Sequence, residues 1–265
     1  MPTFSGFSDA VSRVNRPDES ELAKMEQRLP PLLSVIAGMV DLTGFFTLGS
    51  IFTAHVTGNL VLAAAAAVHG GPWNLAQTLA IPVFMLAVAA AWLIARALNL
   101  HRVALTRLLL LIQFLLLVAV LVFSVTTKPS TNPHGLMAGI AVMIAVCAMA
   151  IQYALLRLAL PKAVSTAVMT GNLTNTILSL MDMLSPQQPL MPVDRERLKS
   201  SLRLLIGFLV GCIIAAAAIS VLGDWAWSIP TVLAAFAIAV PNCGHRATSV
   251  RCQTQTRSAA KWIVI

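Results

Sequence analysis

Six stretches of the chain are almost unbroken runs of apolar residues: 32–50, 78–98, 106–126, 136–156, 204–222 and 225–241. Each approaches the roughly 20 residues that a helix needs to cross a bilayer. The last is short and carries Pro230. Two further segments, 51–68 and 163–183, are apolar enough to span but are interrupted by Thr, Asn and Gly. The pattern predicts an all-α, polytopic transmembrane helix bundle with no strands. Ahead of it, residues 1–17 are polar and are expected to be disordered. Residues 18–29 read as a short amphipathic helix on the cytoplasmic surface, with Asp18 as N-cap, Glu21 at the capping-box position and Leu22, Met25 and Leu29 on one face. Pro30-Pro31 is expected to stop it. The first apolar run begins near Leu32, too late for a cleavable signal peptide.

One phrase occurs twice, and in both interrupted segments. Thr53-Ala54-His55-Val56-Thr57-Gly58-Asn59-Leu60 returns as Thr166-Ala167-Val168-Met169-Thr170-Gly171-Asn172-Leu173, identical except at the third and fourth positions. The chain thus divides into two pseudo-symmetric repeats, 32–126 and 136–241, each reading helix, Thr-Gly-Asn segment, helix, helix. The domain organisation is residues 1–30 as an N-terminal tail, 31–241 as the membrane domain, and 242–265 as a basic C-terminal tail.

Composition agrees with this pattern. Hydrophobic residues make up 58% of the 265 residues and charged residues only 11%, where a soluble domain carries roughly a quarter charged. The net charge of +8 could suggest nucleic acid, but the Lys and Arg side chains punctuate apolar segments instead of clustering, so that class is set aside. Their positions report topology. If the two Thr-Gly-Asn segments do not cross, six spans place every Lys and Arg except Lys128 on the cytoplasmic side, together with both termini. If both cross, eight spans result and Arg96, Arg102, Arg107, Arg157 and Lys162 move outside. Six spans obey the positive-inside rule better and put Trp73, Trp225 and Trp227 in outer loops. Six also makes three spans per repeat, an odd number that inverts one repeat relative to the other, as in many transporters and channels. Eight would leave them parallel.

The candidate site follows from polar residues at membrane depth. Gly58 and Gly171 permit a bend or a close approach. Thr57, Asn59, Thr170 and Asn172 can cap the helix-forming runs that come after them. One reading is a broken or re-entrant half-helix whose positive end faces a cavity; the other is close packing of helices. Asp41 lies in the first span, where a carboxylate is costly and seldom idle. It can bind a cation, carry a proton or pair with a neighbour, and His55 is the natural partner. Gln152 and Tyr153 either line a cavity or satisfy backbone groups. Gln113 stands isolated, and Gly207 and Gly211 form a close-packing face. No H-E-x-x-H, G-x-S-x-G or P-loop is present, so no enzyme activity, metal or cofactor is expected. Cys243-Gly244-His245 with Cys252 lacks paired metal-ligand spacing.

Ala37-Gly38-Met39-Val40-Asp41, Phe52 through Leu60, Ala150-Ile151-Gln152-Tyr153 and the second Thr-Gly-Asn copy resemble the YoaK family of bacterial membrane proteins, over roughly 30–242. The resemblance implies an integral protein of the bacterial cytoplasmic membrane, of unknown function. Tyr153 departs from the small polar residue expected there, and the tail from Asn242 does not look like the family. The expected function is a small-solute transporter or channel built around Asp41, His55 and the two motifs, or else a non-transporting membrane scaffold or sensor. Expected partners are the lipid bilayer and a small solute with a proton or cation, with a homo-oligomer allowed.

Overall fold

The computed structural model describes residues 5–69, 75–166, 169–184 and 192–239. Eight α-helices account for most of them: α1 (Ser5–Thr47), α2 (Val56–His69), α3 (Leu75–Leu98), α4 (Arg102–Thr127), α5 (Leu136–Leu158), α6 (Met169–Leu184), α7 (Pro192–Leu222) and α8 (Ser228–Ala239). No strand occurs among the described residues. Five stretches are long and apolar enough to cross a membrane: Glu19–Thr47, Leu75–Leu98, Arg102–Thr127, Leu136–Leu158 and Leu198–Ala239. The last is not one rod. Its helix ends at Gly223, whose positive φ of 55° suits a residue without a Cβ, and a 3₁₀ turn over Gly223–Trp227 leads into α8.

Contacts at the helix ends set the direction of each helix. At the end where α1 begins, Glu21 pairs with Arg107 near the start of α4. A cavity at that end brings Glu26 and Pro31 of α1 against Lys162 beyond α5 and Arg203 of α7. At the opposite end, Gln77 of α3 reaches the Ser50 carbonyl in the turn after α1, at 3.5 Å. There too the Ser130 hydroxyl donates to Asp224 at 2.8 Å, joining the turns after α4 and α7. Hence α1, α4 and α7 run one way, and α3, α5 and α8 run back.

α1 lies on α7 as α5 lies on α3, and α2 lies on α3 as α6 lies on α7. α1 and α5 are the most enclosed helices, whereas α3, α4, α7 and α8 turn large apolar side chains such as Leu86, Leu115, Leu209 and Phe236 outward. That is the surface a helix bundle presents to lipid and not to water. The α1–α7 crossing is close because both sides use glycine. A Cβ at Gly38 would collide with the Phe208 carbonyl oxygen, and one at Gly211 with the Val35 carbonyl oxygen. The Gly207/Gly211 face therefore packs against α1, with Gly38 completing it.

Several expectations are corrected. Asp18 is inside α1 instead of capping a helix. Pro30-Pro31 does not stop α1, which continues to Thr47. Proline costs a helix its N–H bonds, but neighbouring helices in a bundle can compensate for the loss. Trp227 is fully buried, its ring filling the core instead of facing an interface, although Trp225 is exposed as expected. Trp73 and the tail with Cys243 and Cys252 lie outside the described residues.

Candidate re-entrant loop site

The site begins with the end of α1. Gly49 (φ 84°) and Ser50 (φ 58°) both take the left-handed conformation, and the Ser50 N–H closes on the Phe45 carbonyl at 3.0 Å. Gly49 suits that turn because it has no Cβ to clash. The chain reverses there and runs back along the helix it has just left. Ile51 and Thr53 lie against Gly44, where a Cβ would meet the Thr53 methyl at 2.8 Å. Thr53 and Ala54 arrive beside Asp41.

Asp41 is 4% exposed and its carboxylate is the anchor of this returning segment. Oδ1 accepts from the N–H groups of Thr53 and Ala54, both at 2.8 Å, with the His55 N–H and the Thr53 hydroxyl at 3.4 Å. Oδ2 lies 2.7 Å from His55 Nδ1. Consecutive N–H groups converging on one oxygen make a small anion cradle, and the charge makes each bond stronger than a neutral one. The His55 ring stands edge-on to Phe208 of α7, 5.1 Å between centroids. The Tyr153 hydroxyl of α5 donates to the Ala54 carbonyl at 3.1 Å, tying the loop to the second half.

α2 starts at Val56, level with Asp41, and its 14 residues span about 21 Å, short of a bilayer's ~30 Å. The helix therefore begins before the Thr-Gly-Asn motif and not after it. Thr57, Gly58 and Asn59 form its first turn, and Thr170, Gly171 and Asn172 likewise lie in the first turn of α6. Asn59 does not cap its own helix. Its Oδ1 accepts from the Phe52 N–H at 2.8 Å and its Nδ2 donates to the Phe52 carbonyl at 2.7 Å, clamping the loop. Asn172 Nδ2 makes the matching bond to the Ser165 carbonyl at 2.9 Å, again seven residues back. Gly58 serves close approach: a Cβ would meet the Phe52 ring at 3.0 Å.

Gln152 and Gln113 join each other instead of lining a cavity. Gln113 Nε2 donates to Gln152 Oε1 at 2.7 Å, and Gln152 Nε2 donates to the Leu33 carbonyl at 3.0 Å. Gln113 is thus not isolated, although its own Oε1 is buried without a partner. The structure brings Asp41, His55, Asn59 and Tyr153 around the first loop. Asn172 holds the second loop, and Gln152 sits apart in the core. Thr53, whose backbone and hydroxyl both face Asp41, was missed as a site residue. Its recurrence as Thr166 within the repeated phrase was the available signal.

Among the described residues, cavities open from both ends of the bundle. One, of about 280 Å³, is lined by Leu48, Ile51, Leu75, Leu79, His134 and Met143, and is largely apolar. The other, of about 90 Å³, is lined by Glu26, Pro31, Lys162, Glu196, Ser200 and Arg203. Lys199, 2.9 Å from Glu196, holds that exposed carboxyl below its usual range. The cavities are lined by related parts: Glu26–Pro31 within α1 or the start of α5, the loop after the other of these two helices, and the start of α7 or α3. Neither is lined by Asp41, His55 or a Thr-Gly-Asn residue.

Searches of characterised proteins and of solved structures found no match to this chain. A family model matches residues 29–240, most of the chain and all of α2 through α7. That range includes both loops, Asp41 and the larger cavity, and the match is consistent with the resemblance drawn from the motifs. The chain belongs to the DUF1275 family, proteins of unknown function.

Proposed function

We propose that this membrane protein is a small-solute carrier of the cytoplasmic membrane, built from two inverted repeats of three spans and one re-entrant half-helix each. Six helices alternate in direction, while α2 leaves and returns to one face. The face with Arg96, Arg102, Arg107, Arg157 and Lys162 is cytoplasmic by the positive-inside rule. The observation that carries the carrier reading is the pair of cavities entering from opposite ends along corresponding segments of the two halves. Inverted repeats exchange such openings around a fixed midplane site. Asp41 acts here as a latch. Its charge holds the Thr53 and Ala54 amides and His55, and a proton or cation taken up at this pair loosens the loop between the two cavities.

The test is solute uptake by proteoliposomes containing the full chain, across a panel of small solutes at two external pH values. A carrier moves at least one solute faster than empty liposomes, and Asp41→Asn removes the pH or cation dependence while the protein stays folded. No protein-dependent flux of any solute contradicts the reading. A second reading, a scaffold or sensor that binds a partner in the bilayer, draws on the full occupation of Asp41 by the loop that folds back on α1. It predicts that null flux together with an intact fold.

A further inference from the structure

We propose that the cytoplasmic-end cavity, between α1, α7 and the loop after α5, binds a small zwitterion of the α-amino acid class, its ammonium group on α1 and its carboxylate on Arg203 and Lys162. The α1 wall is built from acceptors. Pro30 and Pro31 have no N–H, so the carbonyls four residues back, those of Glu26 and Gln27, lose the donors that a helix would give them. All four residues line the cavity. Glu26 adds its carboxylate, one oxygen of which is buried without a hydrogen-bond partner. That arrangement costs free energy until a donor arrives. The proline pair that fails to end α1 therefore concentrates acceptors at one place on it.

The rest of the lining supplies donors. Lys162 lies in the loop after α5, and Ser200 and Arg203 lie on α7. Glu196, also in the lining, is paired with Lys199 at 2.9 Å. Among the described residues, no ion pair joins Glu26 to Lys162 or to Arg203, although the three share one cavity. A carboxylate and two cations are thus held apart, and a ligand that carries both charges satisfies both sides. A lone anion leaves Glu26 unpaired, and a lone cation meets Lys162 and Arg203, so solutes of single charge are disfavoured. The volume of about 90 Å³ gives room for about six to nine groups the size of water. Glycine or alanine fits that space and a long side chain does not. Beyond Pro31 and Leu204 the two helices close on each other, the Ser34 hydroxyl donating to the Leu204 carbonyl at 2.6 Å.

This inference rests on the carrier reading for the role of the cavity, but its test reads binding and not flux. Equilibrium dialysis of the full chain in detergent against radiolabelled alanine should show saturable binding. Unlabelled glycine should displace it, and propionate or propylammonium at the same ionic strength should not. Glu26→Gln, which keeps shape and loses the charge, should weaken binding about tenfold or more, and Arg203→Gln likewise. Pro31→Ala, which returns an N–H to the Gln27 carbonyl, should weaken binding without lowering the Tm of the ligand-free chain, a combination that a merely structural proline does not give. No saturable binding by the natural chain, or an affinity unchanged in Glu26→Gln, overturns the proposal, and Arg203→Gln decides in the same way if Glu26→Gln does not fold. Displacement by phosphoethanolamine and not by glycine would assign the site to a lipid headgroup and overturn it as well. Alanine binding without flux of any solute in liposomes would remove the carrier reading and leave this site. Flux of another solute without alanine binding would do the reverse.

Discussion

Removing the Asp41 carboxylate should release the loop that folds back after α1. Asp41→Ala orphans two buried amide donors, those of Thr53 and Ala54, each bonded at 2.8 Å, and takes the partner from His55 Nδ1. An unsatisfied buried donor costs about 1–3 kcal/mol. Water entering the loosened loop recovers part of that, so the expected loss is about 3–5 kcal/mol. For a chain of this size that lowers Tm by on the order of 10 °C. Asp41→Asn keeps one carbonyl oxygen for the two amides but loses the charge and replaces the oxygen facing His55 Nδ1 with an NH2, so its loss should be about 1–2 kcal/mol. The assay is thermal unfolding of the purified chain in detergent, followed by tryptophan fluorescence. A double-mutant cycle with His55→Ala isolates the pair, and the coupling should be positive and above about 0.5 kcal/mol. Equal Tm values for the natural chain and Asp41→Ala would refute the claim that this carboxylate holds the loop. Equal losses for Asp41→Asn and Asp41→Ala would show that charge, and not an acceptor for the amides, is what matters.

Four further outcomes follow from the packing and are read by the same unfolding assay. Gly211→Ala and Gly38→Ala drive a methyl into a helix backbone and should each destabilise by about 2 kcal/mol or more. Gly139→Ala, whose nearest neighbour would be the Ala76 methyl at 3.9 Å, should change stability by less than about 0.5 kcal/mol. Asn59→Ala loses two bonds to Phe52 and should cost about twice as much as Asn172→Ala, which loses one to Ser165. Gln152→Leu strands the Gln113 amide and the bond to Leu33, whereas Gln113→Leu also removes an oxygen that is already unpaired, so the second should be the milder.

The helical class and the special standing of residues 51–68 and 163–183 were legible because apolar run length and a repeated polar phrase are local properties of the chain. Asp41 and His55 were also legible as a pair, since a buried carboxylate needs a partner and His55 was the nearest titratable group in the repeated phrase. The amides that share Asp41 were not, because they belong to an irregular segment that folds back only after the left-handed turn at Gly49 and Ser50. The same reversal explains the misplaced helix start: with the preceding strand held by Asp41, Val56 is already free to begin α2. Asn59 reads locally as a cap, yet Phe52 brought alongside by the reversal offers both a donor and an acceptor to one amide. Pro30-Pro31 misled for a related reason. Local rules end a helix at proline, but in α1 the segment is enclosed, with the Pro31 carbonyl close against Gly207 of α7. The Gln113–Gln152 bond joins α4 to α5, and no local spacing encodes it.

The central claim is that the two Thr-Gly-Asn segments enter and leave the membrane on the same side, which leaves six crossings and two inverted halves. It is tested most directly by cysteine accessibility in intact cells. The natural Cys147, Cys212, Cys243 and Cys252 are first replaced, and single cysteines are then placed at Asn99, between α3 and α4, and at Thr131, between α4 and α5. An impermeant thiol reagent should label Thr131→Cys from outside and reach Asn99→Cys only after the membrane is permeabilised. Labelling of Asn99→Cys from outside with protection of Thr131→Cys would establish eight crossings and contradict the inverted, re-entrant arrangement.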